Sequence, residues 1–70
     1  MDELVCIEFS LIERDQLIGA ADVPAEGWKA AASALGRALC RVWSLGAISA
    51  RVLDQEGKEI KTLTIQRGNR

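Results

Sequence analysis

The sequence predicts an α+β fold, with one antiparallel sheet of three to four strands packed on a single helix. Three observations point there. Residues 4–12, LVCIEFSLI, alternate apolar and mixed positions at the two-residue period of a strand. Residues 24–45 are rich in alanine and carry apolar residues at helical spacing. The closing stretch VLDQEGKEIKTLTIQRGNR folds back at Glu56-Gly57 into a hairpin.

In the first strand Val5, Ile7, Phe9 and Leu11 point one way, and Leu4, Cys6, Glu8, Ser10 and Ile12 the other. The next segment has two readings. Ser10 and Glu13 have the spacing of a capping box, which would start a helix and give the order βαββ. That helix would have no apolar face, so a second strand at 16–23, turned back at Arg14-Asp15, fits better and gives ββαββ. It places Leu17 opposite Ile12 and Ile18 opposite Leu11.

In the helix at 24–45, Pro24 suits the first turn, where a missing N–H costs nothing, and Gly46 suits a left-handed stop. Trp28, Ala32, Leu35, Leu39, Val42 and Trp43 form an apolar stripe, and Gly27, Ala31, Ala34 and Ala38 a neighbouring small-residue stripe. Lys29, Ser33, Arg37, Cys40 and Arg41 fall to the wet side. Strands follow at 47–55 and 58–66. A type I turn with Gly57 in the left-handed bulge position pairs Leu53 with Glu59, Val52 with Ile60 and Ala50 with Thr62. The helix-facing side of the sheet is then Val5, Ile7, Phe9, Leu11, Ile18, Ile48, Val52 and Ile60. Residues 1–70 read as a single domain with a flexible tail at 67–70.

A chain of 70 residues builds a small core with little surplus stability, and oligomerisation is an ordinary remedy. In the register above, the far side of the sheet carries Leu4, Cys6, Ile12, Leu53, Leu63 and Ile65, with Leu17 beside Ile12, among polar neighbours. That half-apolar face is the expected protein interface, most simply of a two-fold homodimer. The charges are segregated. Residues 1–35 hold seven acidic and two basic residues, residues 36–70 three acidic and seven basic, which is net −5 against +4. Arg51, Lys61 and Arg67 share one face of the last hairpin and Lys58 extends it, so a nucleic-acid-binding regulator is the alternative reading. Against it stand a pI near 5.3 and a hairpin without aromatic residues.

Catalysis is not expected. The chain has no His and no Tyr, so the common dyads and phenolic acids are missing, and its carboxylates do not pair across one face. Two cysteines without His do not make a zinc site, no glycine-rich phosphate loop occurs, and no cofactor is expected. Cys40 sits between Arg37 and Arg41, an arrangement that could activate a surface thiol. Trp28 and Trp43 could line a small cleft, but core anchoring explains them as well. The sequence shows no signal-peptide pattern and no apolar run of membrane-spanning length. The expectation is therefore a cytoplasmic protein without a membrane role, serving as an adaptor, subunit or inhibitor.

Overall fold

A computed structural model describes residues 3–68. Its elements are β1 (Leu4–Ser10), β2 (Leu17–Pro24), α1 (Trp28–Trp43), β3 (Ala47–Leu53) and β4 (Glu59–Gln66). The four strands form one antiparallel sheet in the order β2-β1-β3-β4, with α1 across one face. The architecture is α+β in the order ββαββ.

The helix-facing side of β1 is Val5, Ile7 and Phe9, all buried, as the alternation requires. Across the ladders stand Val23 and Ala21 of β2, Ile48, Ala50 and Val52 of β3, and Leu63 and Ile65 of β4. Every fully buried residue of the described chain is apolar apart from a glycine, and no buried polar side chain needs a partner.

The expected hairpin turn forms. Gly57 has φ 82°, Gly57 N–H donates to Asp54 O at 3.0 Å, and the Asp54 carboxylate accepts from the N–H groups of Glu56 and Lys58 at 2.9 Å each. Leu53 pairs with Glu59, but the next pair is Val52 with Lys61. Ile60 is an extra residue, a β-bulge, and it shifts the whole remaining register by one. The expected pairs Val52–Ile60 and Ala50–Thr62 are therefore replaced by Val52–Lys61 and Ala50–Leu63. The reason is hydrophobic. The observed register turns Leu63 and Ile65 inward and leaves Ile60, Thr62 and Thr64 exposed, whereas the expected one buries two threonines to cover one isoleucine.

A second irregularity lies between Phe9 and Ser10, where Phe9 pairs with Gly19 and Ser10 with Leu17. The connecting loop is longer than an Arg14-Asp15 turn. Leu11 N–H donates to Gln16 O and Asp15 N–H to Leu11 O, both at 2.8 Å, with Asp15 at φ 53°. Leu17 thus faces Ser10 rather than Ile12, and Ile18 packs against the core from the extra position.

The helix is shorter than 24–45. Pro24 ends β2, an edge strand, where a missing N–H is tolerated, and left-handed Gly27 precedes the first turn. At the other end Ser44, not Gly46, takes the left-handed conformation (φ 58°). Leu45 N–H returns to Cys40 O at 2.8 Å in a Schellman arrangement, which also folds Leu45 back against the core. The buried row on α1 is Ala32, Gly36 and Cys40, four residues apart, so the face is rotated away from the Leu35–Val42 stripe. Cys40 is fully buried rather than on the wet side. Small residues let the helix backbone approach the sheet closely. The helix leans toward β3 and β4: Gly36 rests on Ile65 of β4, while Leu39 reaches Gly19 of β2 on the other side. The tail expected at 67–70 lies partly outside the described residues. Arg67 is held by its N–H on Gly46 O at 2.9 Å.

Candidate functional site

The fold has two faces of different character, and the six expected interface residues divide between them. Leu4, Cys6 and Leu53 stand on the open face of the sheet, the last two directly paired, with Leu4 46% exposed. Ile12 is exposed in the β1–β2 loop. The bulge at Ile60 removes the other two from that face: Leu63 packs against the core, and Ile65, 5% exposed, is part of it. Placing Leu63 and Ile65 on the open side is therefore corrected. What remains there is a small apolar cluster of Leu4, Cys6 and Leu53, with Leu17, 54% exposed, apart from it beside Ser10.

The centre of the open face is a polar concavity of about 500 Å³, lined by Glu8, Asp15, Ser49, Arg51, Glu59 and Thr62 among others. Glu8 and Arg51 are cross-strand partners, and Arg51 Nη2 donates to Glu8 Oε1 at 2.8 Å. That hydrogen bond and the charge of Glu8 hold the guanidinium pKa above its ordinary value. The pair is open to solvent, so its contribution to stability is small. Glu59 Oε2 accepts from Thr62 Oγ1 at 2.6 Å on the same side.

The basic residues of the last hairpin do not share a face. Arg51 points to the open side and is neutralised by Glu8. Lys61 pairs with the buried Val52 and so stands on the helix side, Lys58 lies in the turn, and Arg67 follows β4 near the helix end. The expected grouping of Arg51, Lys61 and Arg67 on one side is corrected by the same bulge.

Neither thiol is activated. Burial pushes the Cys40 thiol pKa up, with Arg67 pulling weakly the other way, so the flanking arginines do not prime it. Cys40 Sγ makes only a long contact, 4.0 Å, to Ile65 O. Partial burial raises Cys6 as well, assisted by the negative charges of Asp22 and Glu8. Among the described residues no group of His, Cys, Asp and Glu is placed to hold a metal ion, and no helix is long and apolar enough to cross a membrane.

Trp28 and Trp43 lie at opposite ends of α1 and do not share a cleft. Trp28 borders a shallow depression of about 340 Å³ with Glu3, Val5 and Ile60, and the Lys29 ammonium sits 5.9 Å from its ring centroid. A second depression, about 440 Å³, opens between Ile12 and Leu45.

The helix carries the largest apolar exposure. Val42 is 76% and Leu35 37% exposed on the flank turned toward β2, with Ala38 exposed beside them. The sequence placed Leu35 and Val42 in a core stripe, and only the leaning of α1 toward β4 moves them outside. No protein-family model, no curated protein and no solved structure matches the chain.

Proposed function

We propose that the protein is a non-catalytic binding module that acts through protein contacts and associates with itself. One observation carries the reading: α1 keeps an apolar flank open, with Val42 76% and Leu35 37% exposed beside Ala38. Leu35, Ala38 and Val42 carry no charge and Arg41 stands at their rim, so the patch suits a second copy of itself through an isologous contact centred on Val42. Its burial would also supplement a core that is small for an ordered chain. On the open face the Glu8–Arg51 pair separates the cluster of Leu4, Cys6 and Leu53 from Leu17, and this divided surface supports self-association less well than the helix flank does.

The test is the molar mass in solution across a concentration series by light scattering. The wild type is expected to move from monomer toward dimer as concentration rises. Val42→Glu and Ala38→Arg should hold it monomeric while far-UV circular dichroism and melting temperature stay close to wild type. A wild type that stays monomeric throughout the series overturns self-association. A variant that unfolds shows the flank to be part of the protomer's own core.

A further inference from the structure

We propose that the free edge of β4, with the α1 flank above it, receives an extended acidic polypeptide segment as a fifth strand. The inference rests on the protein-binding reading and adds the partner's chemistry, at a surface separate from Leu35 and Val42.

Four cations define this surface. Lys61 stands on the helix side of β4, opposite Val52. Arg67 lies at the other end of the strand, held by its N–H on Gly46 O, and its positive charge reaches the buried Cys40. Arg37 and Arg41 are one turn apart on α1. Because Gly36 rests on Ile65 of β4 and Leu39 on Gly19 of β2, the flank of Arg37 and Arg41 is the one turned away from β2 and toward β4. All four are exposed, and none has an ion-pair partner: the single ion pair among the described residues joins Glu8 and Arg51 on the other face. Of the hairpin's three acids, Glu56 is exposed in the turn and the other two are occupied elsewhere. Asp54 is tied into the turn and Glu59 into the open-face concavity.

The second observation is the edge itself. β4 closes the sheet on one side, runs eight residues from Glu59 to Gln66, and contains no proline, so its outward N–H and C=O groups are free to pair with an added strand. The opposite edge, β2, ends in Pro24. A second copy is a poor occupant of the β4 edge. Pairing β4 with β4 about a two-fold axis brings Lys61, Arg67 and both arginine-bearing flanks against their own kind, and an inward-facing lysine is a common guard against such pairing. An acidic strand meets the same cations with opposite charge. Side chains on one side of a strand recur about every 6.6 Å, so alternate acids can follow the roughly 20 Å from Lys61 to Arg67. A nucleic-acid strand would be drawn to the same charge but would leave the edge backbone unpaired. It would also find a single exposed aromatic to stack on, Trp43 at the C-terminal end of α1, and none along β4 itself, while Phe9 is buried.

The experiment is a titration of the ¹⁵N-labelled protein followed amide by amide in heteronuclear NMR. The probes are a blocked peptide alternating Glu and Val, the Lys and Val counterpart, a Glu and Pro peptide of equal charge, and an oligodeoxythymidine of similar length. The Glu and Val peptide should shift the amides of Ile60–Gln66, weaken with added salt, and lose roughly tenfold or more in affinity with Lys61→Glu/Arg67→Glu. The Lys and Val peptide should leave these amides unmoved. Equal binding by the proline peptide overturns strand addition, because proline cannot pair along the edge. Shifts produced by oligodeoxythymidine but not by the Glu and Val peptide assign the strip to nucleic acid and overturn the proposal. Unmoved β4 amides with the Glu and Val peptide overturn it too. None of these results touches the light-scattering test at Val42, and a monomeric wild type leaves the titration unaffected.

Discussion

Gly36 of α1 lies so close to Ile65 of β4 that a Cβ on Gly36 would fall 2.7 Å from Ile65 Cδ1 and 2.9 Å from Cγ2. The third approach, 3.2 Å, is to the Ile65 Cβ, so rotating the side chain does not clear it. This contact sets the separation between helix and sheet on the β4 side.

Gly36→Ala is therefore expected to destabilise, although alanine is the better helix former by about 1 kcal/mol. Overpacking of this kind costs typically about 1–3 kcal/mol, and for a domain of this size each net kcal/mol lowers Tm by roughly 4–8 °C. Thermal unfolding followed by circular dichroism reads the effect. A Tm equal to or above wild type would show that the helix is not pinned against Ile65.

The register of β4 makes a paired prediction. Leu63→Glu places a charge between sheet and helix and should cost roughly 2 kcal/mol or more, while Thr64→Glu on the open side should stay within about 0.5 kcal/mol. Urea unfolding of both variants checks it. A ladder running without the Ile60 bulge would reverse the order, since Thr64 would then face Ile48.

Much of this fold is legible in the sequence, and the failures share a physical form. Val5, Ile7 and Phe9 are readable because strict alternation leaves one face for them. The turn at Asp54–Lys58 is readable because Gly57 in the left-handed position and an Asp side chain capping the loop are local signals. Ile60 is not, because a bulge is chosen by comparing two whole ladders, and nothing in the neighbouring residues announces it. Cys40 and Gly36 are missed for a related reason. Large residues attract attention as core candidates, yet close helix–sheet packing selects the smallest row and turns Leu35 and Val42 aside. Pro24 serves equally well at the end of an edge strand and in a first helical turn, so composition alone does not separate the two. The cation strip follows from the same geometry, since Lys61 joins Arg37 and Arg41 only after the register has slipped.

The cysteines give a pH dependence. Both thiols have folded pKa values raised above the ordinary one, Cys40 by burial and Cys6 by burial followed by Asp22 and Glu8. A raised folded value means that the native state keeps its protons while the unfolded state releases them. Their contribution is thus whole below about pH 8.5 and is lost as pH climbs through the raised native values. Stability should fall on the alkaline side, and Cys40→Ala should flatten that fall while lowering stability near neutrality through the lost packing. Alkylation of Cys40 should proceed at the rate of global opening. Rapid labelling in the folded protein would contradict its burial.

The bulge at Ile60 amounts to a one-residue insertion held within a strand. Substituting Ile60 changes one exposed side chain, and deleting it would leave Glu59 on Leu53 and Lys61 on Val52 in a regular ladder, with every later position of β4 paired as before. In mutational terms the hairpin tolerates at this one place what a regular strand does not: a codon lost at Ile60 takes out the extra residue and leaves the inside and outside of Lys61–Gln66 as they were.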